Sequence, residues 1–275
     1  MILVGVLAAA TWAGAALVRH DRSQRTPVAT VPTLVRLHVI FPEGFTRAQM
    51  AERVAAVRKI AIDKRGVTPR LTKVGYLAAT ASAKPPPQFR HNWPGDRIEG
   101  FLFPSTYEFT KYTGAGKLVR DQIGFFRREW AEVGLRYARS KNLTPYDVLI
   151  IASMIEKEVA VPKERPLVAA VIYNRLHLRM PLQIDATTRY GLGVPATQSL
   201  TASELASSSP YNTRNRLGLP PTPIANPGLA SMQAAAHPAR VDYLYYVRKP
   251  DGVHHFFTAS AAEFDQKKCE YGYGC

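Results

Sequence analysis

Cysteine is scarce in this chain: Cys269 and Cys275 are the only two among 275 residues, and both lie at its end. Two thiols give a weak framework signal; they could close one small terminal loop in an oxidising compartment. No Cys/His constellation with nucleophile or metal-ligand spacing accompanies them. His254 and His255 lack a third ligand, and His237 before Pro238 reads as a helix-end residue, so no metal and no cofactor is expected. Acidic residues are also few, 21 against 36 Lys and Arg, leaving a formal net charge of +15 and a pI of about 10.0. That balance suggests a polyanionic neighbour: nucleic acid, anionic lipid or an acidic wall polymer. No recognition-helix motif or aromatic RNA-binding signature goes with the charge, which ranks nucleic acid last. Internal repeats are missing, and helices and strands come in blocks without regular βαβ alternation, so the fold class reads as α+β.

What the chain does have begins with an apolar run. Ile2 to Val18 carries no charge and is followed by Arg19, Arg22 and Arg25. About 17 apolar residues is the lower limit for a bilayer span. Ala13-Gly14-Ala15 resembles a signal-peptide cleavage site, so residues 1–22 read as a transmembrane anchor or a signal-like segment. The basic residues follow the run and none precede it, so charge alone leaves the orientation open.

The most informative segment is Ala152-Ser153-Met154-Ile155-Glu156-Lys157-Glu158. Thr144-Pro145-Tyr146-Asp147 opens its helix with an N-cap threonine, a proline at the first helical position and an acid three residues after the cap. Val148 to Ile155 is almost wholly apolar, so the helix should be buried nearly all round, and Pro162 stops it near Val161. Glu156 and Glu158 project about 160° apart on a helix, and are not expected to face one cleft together. Glu158 stacks over Ile151, Met154 and Ile155, whereas Glu156 lies over Leu149, Ala152 and Ser153. Desolvation should therefore raise the Glu158 pKa more, and a carboxyl that keeps its proton is what general-acid cleavage of a glycosidic bond needs.

Around this helix, residues 23–32 form a polar linker and Val35 to Phe41 reads as a strand. Thr46-x-x-Gln49 is a capping box for a helix to about Ile62. Pro85-Pro86-Pro87 is a stiff connector near a domain boundary. Gly114 to Tyr137 reads as one amphipathic helix and Leu167 to Leu178 as another. Leu244 to Val247 and His255 to Thr258 read as a hairpin turning at Pro250-Asp251-Gly252.

Several motifs stand in order along this framework. They are Pro-Glu-Gly-Phe-Thr at 42–46, Glu-Gly-Phe-Leu-Phe-Pro-Ser-Thr-Tyr at 99–107 and the Glu-Lys-Glu segment at 156–158. Tyr-Asn-Arg-Leu at 173–176, Leu-Gln-Ile-Asp-Ala-Thr at 182–187 and Ser-Pro-Tyr-Asn-Thr at 209–213 follow. Gly-Leu-Pro-Pro at 218–221, Ile-Ala-Asn-Pro-Gly at 224–228 and Ala-Ala-His-Pro at 235–238 complete the series. In this combination the chain, from about Phe41 to Thr258, resembles the MltG/YceG-like family of endolytic murein transglycosylases. Two departures stand out: only the last part of a LysM-like region precedes the first motif, and Ile184 and Ala186 replace a more usual polar residue and proline.

The resemblance implies a YceG-like catalytic domain over 86–275, preceded by a linker and partial LysM-like module over 23–85. It implies an enzyme that cleaves the β-1,4 bond between N-acetylmuramic acid and N-acetylglucosamine, with Glu158 as acid then base and Glu156 as fallback. It also implies 1,6-anhydro ends, a single-pass inner-membrane location with an extracytoplasmic catalytic domain, glycan strands as substrate and peptidoglycan synthases as further candidate partners. Asn174, Arg175, Gln183, Asp185, Thr187, Tyr190, Tyr211, Asn212 and Thr213 are the candidate substrate-binding residues, with Asp185 the candidate second carboxylate. Gln183, Asp185 and Thr187 would share one face if their segment were extended. A non-cleaving peptidoglycan-binding protein and a muramidase-type hydrolase remain the alternatives.

Overall fold

The computed structural model describes residues 34–95 and 98–274, and Val35–Cys275 forms one compact unit. The apolar run at 2–18 lies outside the described residues. Among the described residues, no helix is long and apolar enough to cross a membrane.

Strand β1 (Leu37–Ile40) leads through the Pro-Glu-Gly-Phe turn into helix α1 (Arg47–Arg65). The expected capping box is present: Gln49 N–H donates to Thr46 Oγ1 at 3.2 Å, and Thr46 N–H to Gln49 Oε1 at 2.9 Å. Helix α2 (Lys73–Ser82) packs on α1, and strand β2 (Thr106–Phe109) then pairs antiparallel with β1, Leu37 opposite Phe109 and Ile40 opposite Thr106. This pairing spans the boundary expected near residue 85.

The expected helix at 114–137 is two helices, α3 (Ala115–Ala131) and α4 (Arg136–Ser140). The break falls beside Gly134, where the backbone passes so close to the His237 imidazole that a Cβ would stand 2.9 Å from its Nε2. Helix α5 (Pro145–Glu158) carries the predicted N-cap, with Asp147 N–H donating to Thr144 Oγ1 at 3.1 Å, and ends as Val159 turns extended. Its residues from Tyr146 to Ile155 are buried except Asp147, which makes it the centre of the core. Helix α6 (Arg165–His177), short helices α7 (Asp185–Leu192) and α8 (Ala202–Leu205), and helix α9 (Leu229–Ala236) follow, with α6 and α9 packed on α5. The extended reading of 183–187 fails at Asp185, where α7 begins; Gln183, at φ +57°, turns the chain into it.

Strands β3 (Tyr245–Arg248) and β4 (His255–Thr258) form the predicted antiparallel hairpin, and helix α10 (Ala261–Glu270) packs against both. Beneath α5, Phe89, Phe101, Phe126 and Trp130 meet at centroid distances of 4.9–5.6 Å, several edge to face. Such rings contribute beyond their buried area. Among the described residues, helices and two small sheets around one core make the fold α+β.

Candidate active site

Helix α5 runs into a cleft of about 370 Å³ at its C-terminal end. Glu156, Lys157, Glu158, Val159 and Ala160 form one wall; Arg165, Arg248, Gly252, Val253 and His255 form the rest. Both glutamates border it, contrary to the helical-wheel expectation, because the cleft wraps around the end of α5 instead of following one face. Their carboxyl groups nevertheless have different partners.

Glu156 is tied to structure. Its Oε2 accepts the Gly228 backbone N–H at 3.1 Å, at the N-terminus of α9. A carboxylate there offsets an unsatisfied N–H and the positive end of the helix dipole. Glu43, from the Pro-Glu-Gly turn, crowds the same spot: a Cβ on Gly228 would fall 1.8 Å from Glu43 Oε1. Burial and the neighbouring Glu156 push the Glu43 pKa up, and Arg165 opposes them.

Glu158 is enclosed differently. It follows the fully buried Ile151, Met154 and Ile155 on α5, and the residue is half-buried overall. Tyr246 Oη, on β3, donates to its Oε2 at 3.0 Å. Burial raises the Glu158 pKa above its ordinary value; the Tyr246 bond works against this, nearby Asp185 adds to it, and His255 and Arg248 oppose it. The outcome is a carboxyl inclined to keep its proton, bordering a basic cleft.

Behind Tyr246 lies a second pair. The His255 backbone N–H donates to Glu164 Oε1 at 2.9 Å, and His255 Nδ1 lies 2.7 Å from Glu164 Oε2. Both residues are only 7% exposed, so each polar group relies on the other for its hydrogen bond. Tyr246, Glu164 and His255 were not singled out as site residues from sequence. The tyrosine lies 88 residues beyond Glu158, and only the hairpin's register brings it back. The placement of His255 at the start of a predicted strand is the one sequence signal for it.

The remaining candidates fall into three groups. Asp185, first in α7, is electrostatically coupled to Glu158, and its Oδ1 accepts from Arg214 Nε at 2.9 Å and Nη2 at 2.7 Å. Arg175 is buried and donates to Leu244 O, Pro181 O, Leu182 O and Gln183 Oε1, so it braces the chain leading into β3. Asn174 holds Val241 O and Tyr243 O and borders a separate hollow of about 750 Å³, whose only carboxylate is the exposed Asp242.

Thr187, Tyr211, Asn212 and Thr213 are buried. Thr187 Oγ1 and Thr213 Oγ1 meet at 3.0 Å, and Tyr211 Oη and Thr222 Oγ1 at 2.8 Å. The Asn212 amide donates to Leu205 O and Ser207 O. Tyr190 donates to Glu99 Oε2 at 3.1 Å and packs on the Tyr211 ring. These residues shape the loops flanking α7, whereas the side chains of Gln183 and Asp185 are exposed.

A hydrogen-bonded hub joins three motifs. Asn226 Oδ1 accepts the N–H groups of Gly100 and Leu102, both at 2.9 Å, and its amide donates to Phe45 O at 2.9 Å and Glu99 Oε1 at 2.7 Å. Ser153 adds a further tie, accepting the Ile224 N–H at 3.0 Å. The ordered motifs thus converge on the loop that positions α9 and the cleft. Among the described residues no group of three potential ligands could hold a metal.

Residues 14–270 match the YceG-like family. An endolytic murein transglycosylase of Bacillus subtilis (strain 168) is 36% identical over 175 residues, 63% of this chain and 48% of that protein. One from Streptococcus pneumoniae (strain ATCC BAA-255 / R6) is 30% identical over 253 residues, 87% of this chain and 45% of that protein. The chain therefore spans just under half the length of the curated relatives it matches. A YceG-like protein from Listeria monocytogenes, solved by crystallography, superposes with a TM-score of 0.70 at 28% identity, covering 84% of this chain and 76% of that one. On its sequence match and its fold together, the chain belongs to the YceG-like family.

Proposed function

We propose that this chain carries the cleaving activity of an endolytic murein transglycosylase, acting outside the cytoplasm on the β-1,4 bond between N-acetylmuramic acid and N-acetylglucosamine. The observation that carries the reading is the half-buried carboxyl of Glu158, its pKa raised by burial, at a cleft edged by Arg165 and Arg248. The names of the Bacillus and Streptococcus relatives support it independently.

Protonated Glu158 gives its proton to the glycosidic oxygen as that bond breaks, and positive charge develops at the muramic anomeric carbon. The resulting carboxylate takes the proton from the sugar's own 6-hydroxyl, whose oxygen closes on the anomeric carbon as a 1,6-anhydro ring. Glu158 ends the cycle protonated, and no water is consumed. An internal nucleophile gains effective molarity. A hydrolase would instead need a second working carboxylate, about 5–9.5 Å from the first. The nearby carboxylates already have partners: Glu156 receives Gly228 N–H, and Asp185 is paired with Arg214. The apolar run at 2–18 is the proposed anchor, with glycan strands as substrate and peptidoglycan synthases as candidate partners.

Mass spectrometry of products from purified glycan strands tests this. Anhydro ends, lighter than reducing ends by one water, are expected from the native chain and lost in Glu158→Gln. Reducing ends would establish a muramidase. Strand binding without any product would establish a binding protein.

A further inference from the structure

We propose that Tyr246 is a positioning residue for Glu158: it engages one carboxyl oxygen, leaves the other to carry the catalytic proton, and steadies the anion formed by proton donation. The Glu164–His255 pair holds Tyr246 in place. This inference rests on the reading of Glu158 as the acid of the site.

The geometry is specific. Tyr246 Oη donates to Glu158 Oε2 at 3.0 Å, and it is the group hydrogen-bonded to that carboxyl among the described residues. With Oε2 so engaged, Oε1 is the oxygen left to face a glycosidic oxygen. Burial and the adjacent Glu158 keep the Tyr246 phenol well above its ordinary pKa, so it stays a donor throughout the working range. While Glu158 is neutral this is an ordinary hydrogen bond. Once the proton has gone to the leaving sugar, the bond becomes charge-assisted, roughly twice as strong. Tyr246 therefore favours the state that must next take the 6-hydroxyl proton.

The tyrosine ring is held from two sides. The His255 imidazole stands edge-on at 5.5 Å and 86°, and Phe257, its cross-strand partner, packs at 5.8 Å. Glu164 grips His255 at both its backbone N–H and its ring, fixing the start of β4 to the residue that caps α6. Other charged groups also act on Glu158: Arg248 from β3, His255 from β4 and Asp185 from α7. They tune the field, whereas Tyr246 fixes direction.

The test compares pH–rate profiles of glycan-strand cleavage for the native protein, Tyr246→Phe, Glu164→Gln and Glu158→Gln, with folding checked by thermal melts. Removing a bond that favours the anion raises the Glu158 pKa, so the alkaline limb should move to higher pH in Tyr246→Phe. Its kcat should fall about 10- to 100-fold, the scale of a misplaced catalytic group, with KM nearly unchanged. Glu164→Gln should shift the limb the same way by less. A fluorinated tyrosine at 246, a more acidic donor in a ring of nearly unchanged shape, should move the limb to lower pH; this arm stands even if Tyr246→Phe does not fold. Native rates with an unmoved limb, or a uniform loss at every pH, would overturn the positioning role. If Glu158→Gln is inactive while Tyr246→Phe behaves as native, only this inference falls. If Glu158→Gln still cleaves, the assignment of the acid falls with it.

Discussion

The Gly228 N–H reaches Glu156 Oε2 at 3.1 Å, whereas the carboxyl two residues further along α5 is met by the Tyr246 hydroxyl. One Glu-Lys-Glu segment therefore serves two ends, with Glu156 anchoring α9 and Glu158 proposed for chemistry. Glu156→Gln keeps an oxygen acceptor but loses the charge at the helix start, at a cost of about 0.3–1 kcal/mol. Its cleavage rate should fall less than tenfold. Glu158→Gln should lose about 100-fold or more, the contribution of a general acid. Because burial already disfavours the Glu158 carboxylate, Glu158→Gln should melt no lower than the native protein at pH 8. A lower melting temperature with activity retained would reverse the two roles.

Glu99 supplies a pH dependence of stability unconnected with chemistry at the cleft. It is 4% exposed, and burial raises its pKa to about 7 despite donors from Arg47 N–H, Tyr190 and Asn226. In the unfolded chain it titrates near the ordinary glutamate value of 4.5. The folded pKa is the higher of the two, so its stabilising contribution is complete below pH 4.5 and is lost as pH rises through 7. A shift of this size corresponds to about 3 kcal/mol. Urea titrations at pH 5 and pH 8 should show the native protein weakening relative to Glu99→Gln over that interval. A difference that does not change with pH would refute the linkage.

Gly100 is a place where the backbone demands glycine. Its φ is +90°, and a Cβ would lie 2.7 Å from Pro223 Cγ and 3.2 Å from Leu149 Cδ2. The proline ring cannot swing aside as a flexible side chain can, and Leu149 belongs to the buried run of α5. Gly100→Ala therefore combines left-handed strain with overpacking, together about 2–6 kcal/mol. The urea midpoint should drop accordingly. An unchanged midpoint would mean that the motif loop and α5 can part at no cost.

What the sequence made legible was local. The cap at Thr144, the apolar run of α5, the capping box at Thr46 and the hairpin from Tyr245 to Thr258 all follow from short-range patterns, and the structure contains each of them. Two local readings failed where a distant group intervenes: the long helix breaks at Gly134 against His237, and the 183–187 segment turns helical at Asp185. Site partners were the least legible. Tyr246, Glu164 and His255 meet Glu158 or one another only through the folding of β3 and β4 back over α5 and α6. Motif polar residues such as Asn212 and Thr187 read as ligand groups in sequence because buried braces use the same amides and hydroxyls. Burial, which tells the two apart, is a property of the folded chain.

Arg175 shows how such a brace can still govern activity. From sequence it is a candidate substrate-binding residue; folded, its guanidinium donates to Leu244 O at 2.6 Å, to Pro181 O and Leu182 O at 3.0 Å, and lies 5.2 Å from the Tyr245 ring centroid. Leu244 and Tyr245 immediately precede Tyr246, so Arg175 sets where that hydroxyl arrives. Lysine keeps the charge but not the planar fork, and cannot reach all these carbonyls at once. Each buried carbonyl left unpaired costs about 1–3 kcal/mol. Arg175→Lys should therefore lower the melting temperature and reduce cleavage together, with strand affinity retained because no substrate contact is removed. Binding of glycan strands by an inactivated Glu158→Gln background, with and without Arg175→Lys, separates the roles. A selective loss of affinity with the melt unchanged would return Arg175 to the substrate.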